Sequence, residues 1–214
     1  MTAMSETEPL TSLDELVAAV HRTNDRVVDR ARDDPSLRGM GPTITVLGAI
    51  HTPTGPRLGI ANVGDSRMYL HAVEGIVQLT EDHSLVETLV RDGRLTRDEA
   101  DVHPQRNILT RALGIDEKVL VDAWELVAVV GDRFVICSDG LFNELSEEDM
   151  TAVLDAYHDP AEAAQELVDQ ANQAGGRDNI TVVVVDVAEA PPLLDVPDDR
   201  VVVSRKAEIG RAHV

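Results

Sequence analysis

The 214-residue chain holds a single cysteine, Cys137. That excludes an internal disulfide and any zinc site built on several thiolates, and leaves Cys137 a packing role in a reducing compartment. Aromatic residues are nearly as scarce, at 2% of the sequence, so a core must be assembled from Val, Leu, Ile and Ala. Basic residues are outnumbered: 19 Lys and Arg stand against 39 Asp and Glu, for a formal charge of −20. A surface of that sign repels phosphate backbones and anionic lipid, which argues against nucleic-acid or membrane-surface binding as the main activity. No apolar run approaches the length that crosses a membrane, and Met1 to Pro9 lacks the apolar centre of a signal peptide. The expected location is therefore cytoplasmic. The seven histidines show no ligand spacing, so His83 and His103 are expected to be structural residues rather than zinc ligands.

What is present fits one globular domain, with 43% hydrophobic residues and enough length for a substantial core. Met1 to Thr11 reads as a polar leader. Ser12-Leu13-Asp14-Glu15 has the form of a capping box, and Leu13, Leu16, Val17, Val20, Asn24, Val27 and Val28 follow at helical spacing, with an end expected before Pro35. Strand-like runs come next: Thr43 to Ile50, Leu58 to Val63, Arg67 to Val73 and Ile76 to Leu79. Turns at Thr52 to Pro56, Gly64-Asp65 and Glu74-Gly75 separate them. Consecutive strands with short turns predict an antiparallel meander rather than alternating βαβ units.

From His83 to Arg111 the pattern changes. Leu85, Val86, Leu89 and Val90 share a helical face that ends at Gly93, and Thr96-Arg97-Asp98-Glu99 is a second capping box. This stretch is expected to be a helical insertion, a flap over a site. Val119 to Val130 carries two strand-like runs around the only tryptophan, Trp124, expected in the core. Helices are expected from Ser146 and from Pro160, the latter burying Ala161, Ala164, Leu167, Val168 and Ala171. Residues 189–207 read as linker. The last seven, Glu208 to Val214, resemble a translated sequencing adapter more than protein, and are expected to pack against nothing.

Two acidic residues stand apart from the solvated majority. Asp139 follows the apolar run Phe134 to Cys137, at the Ser138-Asp139-Gly140 break; Asp178 precedes the run Val182 to Val185. Alone, either is an ordinary turn residue. Two carboxylates at the ends of buried strands, bracketing a helical region, suggest one oxygen-ligand metal site.

Several landmarks occur in a fixed order: Gly39-Met40-Gly41-Pro42-Thr43, Gly64-Asp65-Ser66-Arg67, Asp82-His83-Ser84, His103-Pro104-Gln105-Arg106, Ser138-Asp139-Gly140-Leu141 and Gly176-Arg177-Asp178-Asn179-Ile180-Thr181. Together they resemble the metal-dependent, PPM-type (type 2C) Ser/Thr protein phosphatases, in particular the bacterial branch. The resemblance covers roughly Leu37 to Val187. It implies an α+β fold, two packed antiparallel sheets flanked by helices (an α-β-β-α sandwich), over residues 12–188, with 83–111 as the flap subdomain. It also implies a Mg²⁺ or Mn²⁺ cofactor, and phosphorylated Ser/Thr proteins as substrates, opposing Ser/Thr kinases. Asp139 and Asp178 match the family's ligands to a dinuclear metal pair. Asp65 matches a position that in bacterial members helps hold a third, weaker metal, or is a turn residue between two strands; the sequence leaves both open. Arg67 and Arg111 are expected to brace structure, and Asn179 to shape a turn.

The chemistry asks for such ligands. Phosphomonoester hydrolysis is among the slowest uncatalysed reactions, so charge must be neutralised and a nucleophile generated near neutral pH. Two divalent ions about 4 Å apart can do both, and hard ions prefer carboxylate and water oxygens.

The family normally opens with a strand bearing an Arg and an acidic cluster, then an Asp-Gly-Met-Gly-Gly segment whose Asp bridges both metals. Neither motif occurs in these residues. The resemblance therefore implies an N-terminally incomplete domain, and a 214-residue chain with little or no activity alone. The alternative is a non-catalytic phosphatase-like module that binds a partner; the retained Asp139 and Asp178 favour the enzyme.

Overall fold

The computed structural model of the chain describes residues 10–37, 39–53, 55–72, 75–190 and 201–205. The expected leader up to Pro9, most of the expected linker and the adapter-like tail lie outside them. Within them stand two four-stranded antiparallel sheets. The first pairs β1 (Ile44–Thr52) with β2 (Gly55–Val63), β2 with β5 (Asp122–Leu126), and β5 with β8 (Val201–Arg205). The second runs β4 (Gly75–Gln78), β3 (Arg67–Ala72), β6 (Arg133–Cys137) and β7 (Val182–Asp186).

Two of the five aromatic residues, Trp124 and Phe134, sit where the sheets meet. Trp124 of β5 and Ile60 of β2 pack against Met68 of β3 and Phe134 of β6, so the sheets lie face to face. The outer face of the first sheet buries Ile50, Ala61, Val63 and Ala123 against α1 (Leu13–Asp33). The outer face of the second buries Tyr69, Val135 and Cys137 under α5 (Glu147–Ala156) and α6 (Pro160–Ala174). The expected four-layer α-β-β-α sandwich is the architecture found. Cys137 is a buried free thiol, and burial pushes its pKa up to about 12, which suits packing rather than reactivity.

Local chemistry explains most elements. In α1, Leu13, Leu16 and Val20 form the buried stripe. Asn24 sits in the same stripe because its amide is satisfied: Nδ2 donates to the Asp116 carbonyl at 2.9 Å, and Oδ1 accepts the Gly114 N–H at 2.8 Å. Ser12 caps Glu15 N–H as expected, but the Glu15 carboxylate turns back to Thr11 N–H instead of completing the box on Ser12. The box at Thr96 and Glu99 closes in full.

Four expectations are corrected. Val119 to Val130 yields one strand rather than two, because only residues 122–126 meet the free side of β2; Val119 and Val121 pack against α1 without a ladder. Within the expected linker, Val201–Arg205 forms β8 on the open edge of β5, where extended β-branched residues find hydrogen-bonding partners. Leu10 and Thr11, read as leader, are tied in: Leu10 bridges Ile50 in parallel, and its carbonyl accepts the His51 N–H. The first buried residue of α6 is Ala163, with Ala161 exposed, since Asp159 caps the helix and sets its phase.

Candidate metal centre under the flap

The site begins at the crossover between the sheets. Gly64 leaves β2 at φ +113°, and a Cβ there would fall 2.2 Å from Thr43 Cγ2, so only glycine fits. The turn delivers Asp65 before β3 starts at Arg67. It is held by His83, whose N–H donates to the Gly64 carbonyl at 3.0 Å while its Nδ1 accepts the Gly64 N–H at 3.0 Å. The His83 Nε2 lies 3.3 Å from Asp122 Oδ2 and 3.1 Å from Arg111 Nη1. Arg111 completes the buried group, 2.8 Å from Asp122 Oδ1. His83 and Arg111 are structural, as expected. So is His103, whose Nδ1 accepts the Gln105 N–H. Arg67 also braces: it holds Asp82 through two nitrogens at 2.7 and 2.9 Å, and its guanidinium lies 3.6 Å from the centre of the Phe142 ring.

The insertion expected to act as a flap carries α2 (Leu85–Arg91) and α3 (Arg97–Asp101). Both ends leave the body side by side, through a Ser84–Leu109 bridge with Leu85 N–H on the Ile108 carbonyl and Thr110 N–H on the His83 carbonyl, each at 2.8 Å. Beneath it is a cavity of about 650 Å³, lined by Asp65 and Asp139 on the body and by Glu87, Arg97 and Arg106 on the flap.

Asp139 opens α4 (Asp139–Phe142), two residues beyond the end of β6. The ladder between β6 and β7 continues one step past the strands, with Ser138 N–H on the Thr181 carbonyl at 3.1 Å. Asp178 lies in the loop before β7, its Oδ1 accepting the N–H of Asn179. That loop presses on α4: a Cβ on Gly140 would lie 2.4 Å from the Asn179 carbonyl oxygen. Asn179 shapes this turn, as expected.

The carboxylates repel one another. Burial, then the charge of Asp139, pushes the half-buried Asp65 up to about 6. Burial, then the charge of Asp178, raises Asp139 above its ordinary value, against the pull of Arg106. Asp139 thus couples to both other candidates. Among the described residues no group of three or more His, Cys, Asp or Glu side chains could hold an ion by itself. The donors fit Mg²⁺ or Mn²⁺ all the same: they are hard oxygens, crowded and short of positive charge. Such ions keep several waters and need only one or two carboxylates.

Two participants escaped the sequence reading. Arg106 reaches from the flap to Asn143 Oδ1 and brings a positive charge to the side of Asp139; the sequence marks it within the His103-Pro104-Gln105-Arg106 landmark but gives it no role at the site. Glu144, whose side chain is 2% exposed, takes an ion pair from Arg177 at 2.8 Å; nothing in a lone Glu after α4 marks it as buried.

No protein-family model matches the chain. It is 39% identical over 188 residues to the serine/threonine phosphatase stp of Listeria innocua, covering 86% of this chain and 73% of that protein. It aligns with the crystal structure of the PPM Ser-Thr phosphatase MsPP from Mycobacterium smegmatis, in complex with cacodylate, at a TM-score of 0.72 and 41% identity, covering 81% of this chain and 73% of that one. It also aligns with the catalytic domain of the serine/threonine protein phosphatase PstP in complex with two manganese ions, at a TM-score of 0.72 and 36% identity, covering 86% and 74%.

Proposed function

The chain belongs to the bacterial PPM-type Ser/Thr protein phosphatases, a family of metal-dependent hydrolases, and we propose that Asp139, Asp178 and Asp65 are its own metal ligands in that reaction. The observation that carries the reading is the electrostatic coupling of Asp139 to both Asp178 and Asp65. Asp139 stands between Asp65, with which it lines the cavity, and the exposed Asp178, and the repulsion it feels and exerts is what a divalent ion would relieve. Asp139 and Asp178 would hold the ion pair, with Asp65 on a third.

Bound Mg²⁺ or Mn²⁺ would neutralise the phosphoryl oxygens and lower the pKa of a coordinated water. The chain's residues do the rest. Asp139 and Asp178 fix where positive charge collects, at the ends of two hydrogen-bonded strands. Arg106, beside Asp139 and on the flap, offers a guanidinium to an incoming phosphate oxygen. The flap covers the cavity and limits water. The substrates are proposed to be phosphoserine and phosphothreonine in proteins, in the cytoplasm; no helix among the described residues is long and apolar enough to cross a membrane.

The family's opening Arg and its Asp-Gly-Met-Gly-Gly motif are absent from the 214 residues, so the chain alone is proposed to turn over slowly. The test is hydrolysis of p-nitrophenyl phosphate with Mn²⁺, by this chain and by a version carrying those motifs upstream. The longer version should be the faster, and Asp139→Asn should abolish its activity. Turnover that survives Asp139→Asn would show that the ligands lie elsewhere.

A further inference from the structure

The segment carrying Asp178 is fastened to the segment carrying Asp139 at two points, one on each side of the carboxylates. At the first, the Ser138 hydroxyl donates to the Asn179 carbonyl at 3.1 Å and accepts the Thr181 N–H at 3.0 Å. At the second, the Glu144 carboxylate takes three donors from Arg177: Nε at 2.8 Å, Nη2 at 3.1 Å and the backbone N–H at 3.2 Å. Arg177 Nη2 also donates to the Asn143 carbonyl at 3.2 Å. The loop is shaped for this. A Cβ on Gly175 would fall 2.6 Å from Glu144 Oε2, and Gly176 turns at φ +57°.

We infer that Ser138 and the Glu144–Arg177 ion pair are positioning residues, a two-point clasp that sets the separation of the Asp139 and Asp178 carboxylates for a divalent ion. The inference rests on the metal-site reading above and goes beyond it to residues that would not touch the ion. Two like charges on facing loops drift apart unless something holds them, and a site already set in place loses less order on binding. Partners one bond removed from the ligands typically govern metal affinity in this way.

Charge alone predicts the opposite sign at one position. Arg177 adjoins Asp178, so removing its positive charge should tighten a cation if the residue matters only electrostatically. If the clasp operates, removing it weakens the site. The experiment is Mn²⁺ titration of the full chain, followed by the electron paramagnetic resonance signal of free Mn²⁺, with thermal unfolding on each variant. Arg177→Met and Ser138→Ala should each weaken Mn²⁺ binding about tenfold, with Ser138→Thr close to the native chain. Glu144→Gln combined with Arg177→Met should cost no more than Arg177→Met alone, because both break one link.

Unchanged or tighter binding in a cooperatively folded Arg177→Met overturns the clasp. Should Arg177→Met lose its cooperative transition, Ser138→Ala decides alone: native affinity there overturns the clasp, and weakened affinity that Ser138→Thr restores supports it. Asp139→Asn separates the two readings. If it binds Mn²⁺ as the native chain does, the metal site itself is wrong, whatever the clasp variants show.

Discussion

His83 grips Gly64 twice, offering its backbone N–H to the Gly64 carbonyl and its Nδ1 to the Gly64 N–H, both at 3.0 Å. A side chain here does what a strand partner would do, and the turn it holds presents Asp65. His83→Ala would leave the Gly64 N–H without its side-chain acceptor in a buried place. A buried group so stranded costs about 1–3 kcal/mol, so a fall in urea-unfolding stability of that size is expected. Amide exchange at Gly64 should quicken in the same variant.

Gly140 should tolerate nothing larger. An added Cβ meets the Asn179 carbonyl oxygen at 2.4 Å, and a backbone atom cannot swing aside as a side-chain tip can. Overpacking of this kind costs about 1–3 kcal/mol. Gly140→Ala should unfold at lower urea and bind Mn²⁺ more weakly; native stability would show that the loop before β7 yields freely.

Asp65→Asn should separate stability from metal binding. Removing the Asp65 charge, which burial disfavours and Asp139 and Asp82 repel, relieves the metal-free fold, so the variant in EDTA at neutral pH should melt above the native chain. The rise in melting temperature on adding Mn²⁺ should be smaller than for the native chain, because a ligand has gone and the stabilisation follows affinity. A lower melting temperature in EDTA would mean that Asp65 serves the turn more than the ion.

Arg133 and Asp186 give the expected acid response. Arg133 joins Asp186 at 2.6 and 2.8 Å, and also donates to the carbonyls of Leu154, Tyr157 and His158 at the end of α5. The Arg133 hydrogen bonds hold the Asp186 carboxyl below its ordinary value. The lowered folded value means that the pair's contribution is fully present above the unfolded carboxylate value, about 4. It is lost as pH falls through the lowered one. Urea midpoints of Asp186→Asn should therefore fall less steeply than native over that interval.

Much of this fold could be read from the chain because its signals are local. The α1 stripe, the Thr96–Glu99 box and the Asp-Gly break after Cys137 each declare themselves within a few residues. The two candidate carboxylates stand out because each adjoins an apolar run expected to be a buried strand; Phe134 to Cys137 is largely buried, but Val182–Asp186 is an edge strand with Val183 exposed. The rest depended on partners distant in sequence. Whether residues 119–130 make one ladder or two depends on how far β2 reaches, and Val201–Arg205 is a strand because β5 has an open edge. Ser138 and Glu144 are ordinary polar residues until the loop from Gly175 to Thr181 is folded onto them. Arg106 gains its meaning only when the flap brings it beside Asp139.

The narrow stem of the flap has an evolutionary reading. Because the chain departs and returns through adjacent residues, with Ser84 and Leu109 bridged, everything between them can be lengthened, trimmed or transplanted without disturbing strand order in either sheet. The carboxylates stay on the sandwich while Arg97 and Arg106 travel with the insert. An insert exchanged at that one doorway would thus change the basic groups facing the cavity while leaving the proposed metal ligands where they are.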